Sequence, residues 1–135
     1  MITAVDTSVL LDVFADSPFG AVSREALREA LGRGSLMACD VVWAEIAAHF
    51  PKTEAAEEAI RTAQIQFAPI DASVALAAGE AWRAHRGRGG RRERIVADFL
   101  VGAQASLRAD RLLTRDRGFY RTYFTRLRVI DPSES

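Results

Sequence analysis

Residues 1–11 read MITAVDTSVLL, a mostly apolar run that drives straight into an aspartate, a threonine and a serine. A buried strand gains nothing by ending on a charge unless that end faces a site, because ligands of open α/β sheets collect beyond the carboxyl ends of the strands. Asp6 is therefore the first candidate functional residue. The residues after it, Ser8 to Ala15, read as a helix capped by Thr7 or Ser8.

Working outward, Pro18 introduces a longer helix to about Leu31, stopped by Gly32 and Gly34. SLMAC, residues 35–39, is a short apolar run with the character of a second strand, and Asp40 is placed to cap a helix from Val41 to about Phe50, with Pro51 marking its end. Glu54, Glu57 and Glu58 form a solvated stripe on the next helix. QFAPI, residues 66–70, is a third strand candidate, after which Asp71 or Ser73 can cap a helix through Trp82 toward His85. Apolar residues return at helical spacing from Ile95 to about Ala109. DRLLT, residues 110–114, reads as a strand leading to Asp116, and LRVI, residues 127–130, as the last.

Strands alternating with helices imply an α/β fold with a central parallel sheet of four to five strands, flanked by helices on both faces. With 135 residues, 49% of them hydrophobic, the expectation is one domain over 1–135, with 131–135 as a polar C-terminal tail. The net charge is zero, so a nucleic-acid partner has to be held by a local patch. Cys39 stands alone, which excludes an internal disulfide and fits a reduced, cytoplasmic setting. The apolar stretches are interrupted by Asp6, Asp12, Asp40 and Glu45 well short of membrane-spanning length, so no membrane association is expected.

Among the 18 acidic residues, a few stand in the wrong company. On a helix, Asp98 shares its face with Ile95, Val101, Gly102 and Ala105, and Glu45 shares its own with Val41, Val42, Ala48 and His49. A carboxylate on such a stripe requires a compensating cation, and neither Lys nor Arg occupies those positions. Asp6 and Asp116 each follow an apolar strand, so a parallel sheet brings both to its carboxyl edge, where Glu45 and Asp98 could join them. Converging carboxylates call for a hard divalent cation, magnesium or manganese, since two histidines and one cysteine are too few for a typical zinc site. Thr7, Ser8 and Thr114 flank the strand-end aspartates and can hydrogen-bond a carboxylate or a water on the metal, although capping accounts equally for Thr7 or Ser8. Asp40 and Asp71 read as helix caps, Asp12, Asp16 and Asp110 as surface charges, and His49 and His85 as structural.

Asp6 in AVDTSVLL, Glu45 in VVWAEIAAH, Asp98 in RIVADFLVGAQA and Asp116 in LLTRDRGF together resemble the PIN-domain ribonucleases over nearly the whole chain, most closely the short VapC toxins of toxin-antitoxin pairs. The resemblance implies a metal-dependent endoribonuclease in which Asp6, Glu45, Asp98 and Asp116 hold one or two Mg2+ or Mn2+ ions, activating water for in-line attack on a phosphodiester. It also implies a homodimer and an antitoxin partner covering the acidic groove. A PIN nuclease with an RNA-processing role, or a non-catalytic module stabilised by metal, would carry the same residues. A haloacid-dehalogenase-type phosphatase needs a second aspartate where Ser8 stands, and a receiver domain needs a lysine after a late strand, whereas Lys52 follows a helix.

Residues 83–94, RAHRGRGGRRER, carry six arginines against one glutamate. Arg86, Arg88, Arg91, Arg92 and Arg94 are candidate RNA-phosphate contacts beside Asp98; a solvated loop is the plainer reading.

Overall fold

The computed structural model describes residues 1–87 and 96–134. Five strands, β1 (Ile2–Val5), β2 (Ser35–Cys39), β3 (Ile65–Ala68), β4 (Arg111–Leu113) and β5 (Val129–Ile130), form one sheet in the order β3-β2-β1-β4-β5. All pairings are parallel, with Ala4 opposite Met37 on one side and Leu112 on the other. Thr3, Ala4 and Val5 are buried, as a central strand covered on both faces requires.

Among the described residues, seven helices surround the sheet: α1 (Thr7–Phe14), α2 (Gly20–Arg33), α3 (Asp40–His49), α4 (Thr53–Thr62), α5 (Ala72–Gly87), α6 (Val96–Arg108) and α7 (Arg117–Tyr123). The chain steps from β1 out to β3 and then returns past β1 to β4. Crossovers of the usual right hand consequently put α1–α4 and the α5–α6 pair on opposite faces. The reversal falls between β1 and β4, which makes their carboxyl ends the switch point where such sheets form crevices.

Local chemistry explains the element boundaries. Asp71 caps α5, its Oδ1 accepting from the Val74 N–H at 3.0 Å, and that bond together with Arg108 lowers its carboxyl pKa. Asp40 opens α3 and accepts from the Val41 N–H at 3.0 Å, while extended Cys39 occupies the cap itself. The expected cap of α1, Thr7 or Ser8, is replaced by Asp6, whose Oδ1 takes the Thr7 N–H at 2.8 Å. Gly32 does not stop α2, which continues to Arg33. Helix α7 has no counterpart in the sequence reading, because seven residues carry too few apolar positions to display a period.

Helix α7 is nevertheless integral to the core. Phe119 and Tyr120 are buried, and Phe119 meets Phe99 of α6 edge-on with centroids 5.1 Å apart. His85 is buried beside them with its Nδ1 2.8 Å from the Tyr123 hydroxyl, in keeping with a structural role, whereas His49 is exposed. Cys39 is buried, which raises its thiol pKa and keeps it protonated. Gly102 permits the close packing of Phe124 on α6: a Cβ there would stand 2.2 Å from the ring. Gly102→Ala is therefore expected to lower stability by about 1–3 kcal/mol, the usual penalty of overpacking, as read from the denaturation midpoint at unchanged m-value.

Candidate active site

Asp6 is the last residue before α1, extended at φ −81° and ψ 156°, and it closes the central strand. Its backbone N–H donates to the Leu113 carbonyl at 2.9 Å, which sews the end of β1 to the end of β4. The side chain is 9% exposed and fully engaged: Oδ1 accepts from the Thr7 N–H, and Oδ2 accepts from the Thr114 hydroxyl at 2.7 Å and the Tyr120 hydroxyl at 3.3 Å. All three donors are neutral.

Thr114 does more than hold Asp6. Its Oγ1 also accepts the Asp116 N–H at 3.0 Å, so one hydroxyl links the acids that end β1 and open α7. Across the crevice, the Thr7 hydroxyl donates to Glu45 Oε1 at 2.8 Å. Ser8, by contrast, binds no carboxylate; its Oγ accepts the Arg115 N–H at 3.2 Å. Asp98 lies in the first turn of α6 and Asp116 precedes α7, so Asp6, Asp98 and Asp116 all sit at helix N-termini, where partial positive charge favours them.

Electrostatics tie the acids to one locus. Burial pushes the Asp6 carboxyl from 3.8 up to about 6, opposed by the Thr114 and Thr7 bonds and reinforced by the charges of Asp98 and Glu45. Burial also raises the Tyr120 phenol, with Asp6, Asp98 and Asp116 adding to the effect, so that it stays a donor to Asp6. Among the described residues, no three carboxylates are gathered tightly enough to constitute a formed cation cage. The donor set still fits a hard divalent cation: oxygen ligands only, and a carboxylate whose pKa is raised by burial, with the neighbouring acids adding to the shift.

Several expectations change. Glu45 is exposed, so it stands on a wet face of α3 and not on a core stripe, and Asp98 is half-buried. The apolar neighbours that suggested otherwise divide between core and surface, with Val42 fully buried and Ala48 and His49 exposed. Asp12, expected at the surface, is 2% exposed and paired with Arg115. Tyr120 and Arg115 are the residues sequence reasoning missed; the placement of Arg115 between Thr114 and Asp116 was the available signal. Arg86 ends exposed on α5 with its guanidinium 5.3 Å from the Trp82 ring centre, while Arg88, Arg91, Arg92 and Arg94 lie outside the described residues.

The sequence model of the PIN domain matches residues 3–125. The chain belongs to the PIN domain family. PIN domains are typically nucleases, and those nucleases generally use divalent metal ions. No curated protein matches the chain. Similar solved structures include VapBC2 from Rickettsia felis bound to a promoter DNA fragment, with TM-score 0.75, 18% identity, and coverage of 97% of this chain and 98% of that chain. VapBC-1 from nontypeable Haemophilus influenzae gives 0.75 at 19% identity over 99% and 100%. DNA-bound VapBC from Salmonella typhimurium gives 0.71 at 15% over 98% of each chain. At these identities the likeness is one of fold.

The raised Asp6 pKa has a consequence for stability. Its folded value exceeds the unfolded one, so the native state is favoured by proton uptake; the contribution is full below about 3.8 and is lost as pH rises through about 6. The difference is roughly 3 kcal/mol at about 1.4 kcal/mol for each tenfold change in proton affinity. In the absence of divalent ions, Asp6→Asn is expected to raise the melting temperature at pH 8 by clearly more than at pH 4.5. Equal shifts at both pH values in a thermal melt would contradict this assignment.

Proposed function

We propose that this PIN domain is a divalent-cation-dependent endoribonuclease, and that it is the toxin component of a toxin-antitoxin pair. The observation that carries the nuclease reading is Asp6: a buried carboxylate at the sheet switch point, raised to about 6, hydrogen-bonded among the described residues only by neutral donors, with the charges of other acids close by. Asp6, Glu45, Asp98 and Asp116 are the residues that would hold one or two Mg2+ or Mn2+ ions. Once bound, such a cation supplies a nucleophilic water at neutral pH and offsets charge on the scissile phosphate.

The chain's own residues prepare that site. Thr114 and Tyr120 orient the Asp6 carboxylate, Thr7 orients Glu45, and Thr114 also holds the backbone ahead of Asp116. The toxin reading is supported by likeness to VapBC complexes along almost the entire length of both chains. A cognate antitoxin would cover the acidic crevice, a guanidinium taking the place of the cation. A homodimer acting in the cytoplasm completes the proposal.

The test is cleavage of total cellular RNA by antitoxin-free protein with Mn2+ or Mg2+, beside EDTA and Asp98→Asn. Discrete, cation-dependent fragments are expected from the wild type, with a loss of roughly 100-fold or more in the variant. A wild type that binds Mn2+ and remains silent would defeat the catalytic reading in favour of a metal-stabilised binding module. Replacing Arg91 and Arg92 with alanine is expected to weaken binding of single-stranded RNA by the Asp98→Asn protein, and to reduce the slope of log affinity against log salt by about 0.7 per lost phosphate contact.

A further inference from the structure

We infer that Asp12 and Arg115 are positioning residues for this crevice: their partly buried ion pair fixes the β4–α7 turn on α1 and thereby sets where Thr114 and Asp116 stand relative to Asp6. The inference rests on the nuclease reading above for its catalytic meaning, though not for its geometry.

Ser8 and Asp12 are one turn apart on the same face of α1. Together they grip both halves of Arg115, Ser8 Oγ accepting its backbone N–H at 3.2 Å and Asp12 accepting Nε at 2.5 Å and Nη2 at 3.0 Å. Asp12 is itself immobilised by the Ser17 hydroxyl at 2.8 Å and the Ser23 hydroxyl at 3.1 Å. The Phe19 ring lies 4.4 Å from the guanidinium carbon and covers it from outside. Gly20 lets this end of α2 approach, since a Cβ there would be 2.9 Å from the Asp12 carbonyl oxygen.

Arg115 is the residue between Thr114 and Asp116, so holding it in one orientation holds both neighbours. Any rotation of the turn would strain the Thr114 bond to Asp6 and the Asp116 N–H bond to Thr114 together. A buried ion pair supplies little net stability over an apolar pair of equal volume. What the two-pronged contact supplies is direction, because a planar guanidinium meets a carboxylate in one plane. Removing an outer partner of this kind typically lowers metal affinity or activity by about 10–100-fold.

The experiment compares wild type with Asp12→Asn, Arg115→Lys and the double variant, measuring RNA cleavage and Mn2+ affinity by titration at a temperature where circular dichroism shows each to be folded. The expected result is a fall in kcat of about tenfold or more with KM little changed, Mn2+ binding weakened about tenfold, and a double variant no worse than the poorer single one. Ile60→Val, which loosens α4 far from the turn, should leave both readouts unaltered. Folded variants with wild-type kcat and wild-type Mn2+ affinity would overturn the inference while leaving the nuclease reading intact. If the wild type binds Mn2+ without cleaving RNA, the nuclease reading fails and the Mn2+ affinities alone decide the positioning role; a wild type that does neither overturns both. Should Asp12→Asn not fold, Arg115→Lys carries the measurement, since that side chain is 31% exposed and its replacement reaches solvent.

Discussion

A carboxylate at the end of the central strand of a parallel sheet has to be desolvated and satisfied at once, and the arrangement around Asp6 follows from that constraint. Its three donors come from three places in the chain: the first turn of α1, the residue after β4, and α7. Thr114 can reach Asp6 only because β1 and β4 are adjacent with Val5 opposite Leu113. Tyr120 can reach it only because α7 folds its aromatic residues back against Phe99. The strand order, the register and the late helix thus converge on one pair of oxygens.

Helix α1 carries a second buried carboxylate in a different state of compensation. Asp12 meets a guanidinium and two hydroxyls, which makes its surroundings electrically closed. Among the described residues, Asp6 meets two hydroxyls and an amide, and the charges that act on it are those of Asp98 and Glu45. The two aspartates lie on the same helix and its cap, yet one is paired with a cation of the protein itself, and the other is the one the proposed function would pair with a cation from outside. That difference separates a structural acid from a candidate ligand more sharply than burial does, since both are buried.

Much of the architecture was legible in the sequence. Short, mostly apolar runs ending at Asp6 and before Asp116 marked β1 and β4, because a strand covered on both faces is apolar along most of its length. Alternation with helical spacing implied the parallel sheet, and the Asp71 cap followed from side-chain chemistry that acts within one turn. The reading misjudged the burial of Glu45, as it did that of Asp12. On a helix, spacing says which residues share a face but not whether that face meets the core or solvent, and Val42 and Ala48, both used to judge Glu45, end on opposite sides of that divide.

The sequence by itself determined the α/β class, the strand-end acids and the oxygen-only donor set, since these depend on local periodicity and residue type. Only the tertiary structure decided that Tyr120 and Thr114 share Asp6, that Asp12 is buried against Arg115, and that Glu45 faces water. These are relations between residues 38 to 114 positions apart, as Thr7 with Glu45 and Asp6 with Tyr120. No local propensity encodes them, because they come into being only when β1 and β4 pair and α7 closes over their ends.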